Sequence, residues 1–378
     1  GNKMTQLFKY ELKKFIYNKK NIVVVLATLL FLGMFIAYND YQDQQYPNKM
    51  YTEMTNASVY SSKMVKNIET SMKYMEEGTK KEEFKQQKKF WDNLSTSSLI
   101  LSSGYMKKDY KNEEFVKEQI EWYHLVLDGR KKNYDLDPIN RLTIRTIKEQ
   151  IQKDQYIVDN HIEIMNSPYS CNSLNLFNLL FSDYVGLFIA FPFLLLVFDI
   201  VAIEFENSSY KSLYTSNYSR STILISKTIF IGLLIIAYIA MISSVFFISG
   251  IKFGFGNIIY PYAVYPEIYP FYQAVFLMLA IFVMALMSLS AITIFISSWT
   301  FSSSVTLVTI LSCYMMVIVF QQILDYRWLY PYIPLCYPFN KDIIQYHGTI
   351  QSIIIGLAVS FVFIEISIRS LKRKDITV

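Results

Sequence analysis

The chain has 378 residues, 52% of them hydrophobic and 16% aromatic, with 18% charged and a formal net charge of +5. Globular domains carry about 25% charged residues, and a disordered chain needs low hydrophobicity and high charge, so disorder is excluded. Three cysteines exclude a disulfide-built scaffold.

Residues 4–21 come first, with Leu7, Lys9, Glu11, Leu12, Lys13, Lys14 and Phe15 forming a basic amphipathic helix. Gly1-Asn2-Lys3, ahead of Met4, read as a tag remnant. The first apolar run, 22–38, has no charged residue and no A-x-A site after it, which favours a retained anchor over a cleaved signal peptide. Further runs cover 183–203 and 222–251. The uncharged stretch 268–324 would be roughly 85 Å long as one helix, too long for one crossing of ~30 Å. The small polar run SSWTFSSS at 297–304 divides it into spans 271–297 and 304–324. A last span covers 350–368, and 369–378 is a tail. The expected fold class is therefore an all-α membrane protein with six transmembrane helices.

Lysine and arginine near span ends set the orientation. Lys9, Lys13, Lys14, Lys19 and Lys20 precede the first span, and Arg369, Lys372, Arg373 and Lys374 follow the last. Both termini are expected in the cytoplasm of a multi-pass cell-membrane protein, with 39–182 outside. The many lysines of 39–182 do not oppose this, because long translocated segments are exempt from the rule.

The segment 39–182 reads as a small helical domain. Met64, Ile68, Met72 and Met75 make one stripe, and Phe115, Ile120, Tyr123 and Leu127 a second. Asp137-Pro138 reads as an N-cap followed by proline at the first helical position. From there Ile144, Ile147, Ile151, Val158, Ile162 and Met165 continue a heptad-like stripe until Pro168. Cys171 and Cys336 both fall outside, near the membrane, and sequence leaves their pairing open; Cys313 reads as packing.

A catalytic reading fails on inventory. His124, His161 and His347 lie near no cluster at metal spacing. There is no G-x-x-x-x-G-K-[ST], so the chain holds no ATP through a P-loop of its own, and neither G-x-S-x-G nor H-E-x-x-H occurs. The basic residues sit at span ends, where orientation explains them without nucleic acid. Asp199 and Glu365 lie near span ends, which suits helix-end roles.

The most informative segment is the loop 204–221. Glu204 and Glu206 come first, then Ser208-Ser209, Leu213, Ser219-Arg220, and Lys227 inside the following span. Acids first and bases last suit a short helix dipole. The segment resembles the loop of ABC type 2 transporter permeases: an acid closing the second span, a short G-T-x-x-x-L helix, an S-R pair, and a lysine opening the third span. The family's Gly-Thr is here Ser208-Ser209. The basic helix 4–21 is similar to the elbow helix of those permeases. The aromatic, proline-rich 325–349 is similar to the short re-entrant helices at their outer mouth. The resemblance covers the six spans and leaves 39–182 outside.

That resemblance implies the permease subunit of an ATP-driven exporter. It implies a separate ATPase subunit carrying ATP and Mg, no cofactor in this chain, and a second permease copy or paralogue completing the pore. The residues implied to couple to the ATPase are Glu204, Glu206, Ser209, Leu213, Ser219, Arg220 and Lys227, with Glu11 on the elbow. The cargo expected from the uncharged spans is a hydrophobic or amphipathic peptide, antimicrobial or drug. The alternatives are a sodium-extruding permease of the same family, or a membrane sensor using 39–182 as its receptor.

Overall fold

The computed structural model describes residues 2–76, 78–137, 139, 142–182, 184–214, 218–323 and 326–373. Among the described residues the chain is helical almost throughout, apart from one short hairpin. It divides into two compact units: residues 1–36, 176–252 and 275–378 form the first, and 37–175 and 253–274 the second.

The first unit begins with α1 (Asn2–Tyr17), which ends at Asn18. The Asn18 side chain accepts from the Lys20 amide at 3.0 Å, so the break has a cap, and α2 (Lys19–Met72) starts there. The sequence places the end of the first span at 38, yet α2 runs on for 54 residues through Pro47 without a break. A short α6 (Ser173–Leu180) precedes the second span, which is two pieces, α7 (Val185–Val197) and α8 (Ala202–Glu206), joined by a turn. A short α9 (Tyr210–Tyr214) follows, then α10 (Arg220–Phe253), which starts two residues before the expected 222. The remaining long helices are α11 (Phe271–Thr300), α12 (Ser303–Ile323) and α14 (Thr349–Arg373). Phe301, at φ 52°, makes the corner between α11 and α12, inside the polar run that sequence marks as the break.

Among the described residues, six helical segments are long and apolar enough to cross a membrane. The 185–206 segment is 67% buried across its most apolar window, against 17% for α14, so it lies at the centre of the unit. Tyr238 of α10 donates to the Ile189 carbonyl of α7 at 2.8 Å. Between α12 and α14 the chain makes two 3₁₀ turns, Arg327–Tyr332 and Pro334–Cys336, then α13 (Asn340–Gln345). Pro331, Pro334 and Pro338 deny this stretch a long helix. Tyr337 is fully buried there, and Asn340 donates to the Met278 carbonyl at 3.0 Å. Gly186 lets this segment approach α7, since a β-carbon on it would sit 2.3 Å from the Pro338 carbonyl oxygen.

The second unit packs the distal half of α2 with α3 (Thr79–Lys107), α4 (Glu113–Lys131) and α5 (Ile144–Asp159) around Phe90, Trp91, Leu94, Leu101, Val126 and Ile147. Asn112 caps α4 by accepting from the Phe115 amide at 2.7 Å. The expected helix start at Asp137-Pro138 falls on Pro138, which lies outside the described residues; α5 starts at Ile144 under a Thr143 cap. The stripe through Met165 is also corrected. Helix α5 ends at Asp159, burying Ile147, Asp154 and Ile157 while Ile144 is exposed. A two-stranded antiparallel hairpin, β1 (Pro261–Val264) and β2 (Glu267–Pro270), lies against α5, where Gln152 donates to the Pro266 carbonyl at 3.0 Å. Sequence reading gives no strand here. Cys171, Cys313 and Cys336 are not joined by disulfides.

Candidate functional site

Within the first unit, four charged side chains from three elements meet, three of them buried. Lys227, one and a half to two turns into α10, is completely buried. Its ammonium donates to Glu11 of α1 at 2.6 Å, to Glu204 of α8 at 2.5 Å and to the Ile200 carbonyl at 3.0 Å. Glu204 is also fully buried, and Glu11 is 4% exposed. Lys14, one turn beyond Glu11 on α1, donates to the same Glu204 oxygen at 3.0 Å and reaches the Ile200 carbonyl at 3.4 Å. Two carboxylates and two ammoniums balance, which offsets the cost of burying Glu11, Glu204 and Lys227 beside the partly exposed Lys14.

The local fold explains the meeting. Glu11 and Lys14 share one face of α1 at i and i+3. The turn between α7 and α8 leaves the Ile200 carbonyl free of a helical partner and turned toward the two lysines. The Ser297 hydroxyl accepts from the Ala202 amide at 3.0 Å, which fixes the start of α8 and so the position of Glu204. Burial lowers the Lys14 pKa, and Lys227 beside it acts in the same direction, against Glu204 and Glu11. Tyr10 is pushed up, first by burial and then by Glu204 and Glu11, with the Ser209 hydroxyl bonded to it.

A second ion pair lies one turn away, where Lys20 sits 2.7 Å from Asp199 and 4.4 Å from the centre of the Phe198 ring. The second span is thus tied by ion pairs to α1 and to the start of α2. Asp199 reads from sequence as a helix-end residue, and its partner is now given.

The other loop residues stay at the surface. Glu206 is exposed and accepts from the Ser303 amide at 2.6 Å and the Ser303 hydroxyl at 2.9 Å, so it caps α12 across the cluster's rim. Ser209 donates to the Glu204 carbonyl at 3.3 Å. Leu213 lies on α9, half-buried. Ser219 caps α10 by accepting from the Thr222 amide at 3.1 Å. Arg220 donates to the Leu371 carbonyl at 2.8 Å, near the end of α14. Ser208 has φ 55°, the left-handed conformation that glycine adopts without strain, and it stands where the resembled pattern has its glycine. Residues 215–217 of the loop lie outside the described residues.

Of the eight residues singled out from sequence, three (Glu11, Glu204 and Lys227) are brought into one cluster. The other five lie around it without joining it. Sequence reading missed Lys14 as a member, because it is one of five lysines that orientation already explains. It also missed Ser303, whose amide is the partner of Glu206.

A family model described as ABC-2 family transporter protein matches residues 5–333. The chain belongs to that family. The ABC-2 match starts in α1 and takes in the whole cluster, since Glu11, Lys14, Glu204 and Lys227 all fall inside it. It also runs through 39–182, which corrects the expectation that the family pattern leaves this segment out. ABC-2 membership makes the protein a multi-pass transmembrane subunit of an ABC transporter, a component that works with an ATPase subunit. No curated protein and no solved structure gives a match.

Proposed function

We propose that this chain is the permease half of an ATP-driven exporter, and that its buried charge cluster is the joint through which ATPase movement enters the spans. The cluster carries the reading. It ties the elbow α1, the loop helix α8 and the third span α10 through the buried Glu11, Glu204 and Lys227. A push on the exposed loop surface around Glu206, Ser209, Leu213 and Ser219 is then transmitted to α1, α8 and α10 as one body. Glu204 and Lys227, being buried, act as positioning residues. The exposed loop residues meet the ATPase. ATP and Mg reside on that partner, and a second copy or a paralogue completes the pore. The spans then alternate between inward-open and outward-open arrangements.

In this reading both termini face the cytoplasm and the second unit faces outward, following the lysine and arginine distribution. The cargo is a hydrophobic or amphipathic peptide, antimicrobial or drug, matching spans with few charges along their length. The test is gentle affinity purification from the native host, followed by mass spectrometry. A soluble ABC ATPase at near one-to-one stoichiometry is expected, and its absence overturns the reading.

A further inference from the structure

Helix α8 does more than carry Glu204. Its Ala202, Phe205 and Glu206 all reach the corner between α11 and α12. The Ala202 amide donates to the Ser297 hydroxyl, one turn before that corner. The Phe205 ring stacks on the Phe301 ring, with centroids 3.9 Å apart and planes 29° apart. Tyr210 of α9 stacks on Phe205 in turn, at 5.1 Å and 18°. Glu206 accepts from the amide and the hydroxyl of Ser303, the first residue of α12. These contacts use neither Glu11, Lys14 nor Lys227.

Two residues, Phe301 and Ser302, separate α11 from α12. Phe301 is in the left-handed region at φ 52°, which a bulky L-residue adopts only at a cost. Such a conformation persists where the surroundings impose it. Glycine would relax this backbone but would bring no ring to Phe205, and an aromatic pair contributes beyond its buried area. The rest of α12 is held lightly by this chain: 22% of its most apolar window is buried, against 50% for α11. A small shift at the end that α8 grips therefore reorients the helix.

We propose that the Phe205–Phe301 stack is a second joint, through which α8 sets the tilt of α12, the fifth span, independently of the charge cluster. Phe205 and Phe301 are positioning residues in this device. The inference rests on the reading that the loop 204–221 meets the ATPase, and it adds the span that answers and the contact that moves it.

The test is hydrogen exchange, read by mass spectrometry, on the full permease–ATPase complex in nanodiscs, with and without trapping by ATP, Mg and vanadate. Residues 220–227 at the start of α10 report the charge cluster, and residues 303–310 report the start of α12. In the parent both should change on trapping. Phe205→Leu keeps an apolar side chain and removes the ring. Without nucleotide it should speed exchange at 303–310 by up to about tenfold, the scale of one aromatic pair. It should also abolish the trapping response there while 220–227 still responds. Phe205→Tyr keeps the ring and should restore both. Phe301→Gly relaxes the backbone but loses the ring, and should behave like Phe205→Leu. A response at 303–310 that survives both Phe205→Leu and Phe301→Gly, or a parent in which only 220–227 responds, overturns the joint and leaves the reading of the loop standing. A parent in which neither segment responds overturns the reading of the loop and the joint with it.

Discussion

Lys227 Nζ lies 2.5 Å from Glu204 Oε1, and neither side chain has any exposure to solvent. Their backbones are 23 positions apart, while Glu11, the other partner of Lys227, is 216 positions away. The pair therefore fixes an N-terminal surface helix to the heart of the first unit. Burying an ion pair is not by itself stabilising, because desolvation offsets the attraction. What it supplies is a defined geometry that is costly to leave.

Removing one partner should be severe. Lys227→Met strips the counter-charge from two carboxylates and leaves only Lys14 to serve both. The expected cost is about 3–5 kcal/mol. Thermal unfolding of the detergent-purified chain should show it as a large fall in midpoint. A midpoint within a degree or two of the parent would mean that the cluster is not balanced as described.

Ser208 predicts a change in the opposite direction. It holds φ 55°, which costs an L-residue roughly 1 kcal/mol and costs glycine little. Ser208→Gly should leave stability unchanged or raise it slightly, since glycine's extra freedom in the unfolded chain offsets part of the gain. Ser208→Val should lower it, and the ordering of the three by unfolding midpoint is the check.

Two glycines in spans should respond very differently to the same substitution. A methyl on Gly186 meets the Pro338 carbonyl oxygen, whereas Gly33 has nothing within 4 Å. Gly186→Ala should cost about 1–3 kcal/mol through forced separation of α7 from the 334–339 segment. Gly33→Ala should be neutral or slightly stabilising. Similar losses for both would contradict the close approach.

Much of this was readable in the sequence, and the exceptions have physical reasons. Charge-free runs of span length give six crossings, and the polar run at 297–304 marks the corner at Phe301. Glu204 and Lys227 stand out in the loop pattern. Their meeting with Glu11 does not, because no periodicity connects positions 216 apart. Lys14 was hidden by redundancy among neighbouring lysines. Spacing alone extends α5 too far, because Ile162 and Met165 continue its stripe, whereas Asn160 ends it with backbone bonds to Tyr156 and Val158. Asp154 gave no signal, since an acid on a charged helix reads as solvated until packing buries it.

Asp154 also makes a pH prediction. Burial raises its pKa from 3.8 to about 7, while Lys153 and Gln150 pull it down. Its surroundings include Tyr46 and Glu53 from α2, Tyr105 from α3, Tyr123 from α4, and Tyr260 ahead of the hairpin. The folded state thus holds a proton that the unfolded state releases above pH ~4. Stability of this unit should fall as pH rises from about 4 to about 7 and then level off. Asp154→Asn should remove that slope and protect the α5 amides by roughly 2–4 kcal/mol at pH 8. Hydrogen exchange across residues 144–159 measures it, and an unchanged slope in the variant would assign the pH dependence elsewhere.

The most direct measurement compares ATP hydrolysis by the reconstituted permease–ATPase complex with and without the charge link. Glu204→Leu combined with Lys227→Met removes one charge of each sign and leaves Lys14 to pair with Glu11 on its own helix. Such an exchange is close to neutral for stability, so folding and assembly should survive, but α1 is no longer ionically tied to α8 and α10. The account predicts normal assembly with cargo-stimulated hydrolysis reduced about tenfold or more, a loss of ~1.4 kcal/mol or greater in coupling. Parent-level stimulation in a correctly assembled double variant would contradict the claim that this cluster carries movement from the ATPase into the spans.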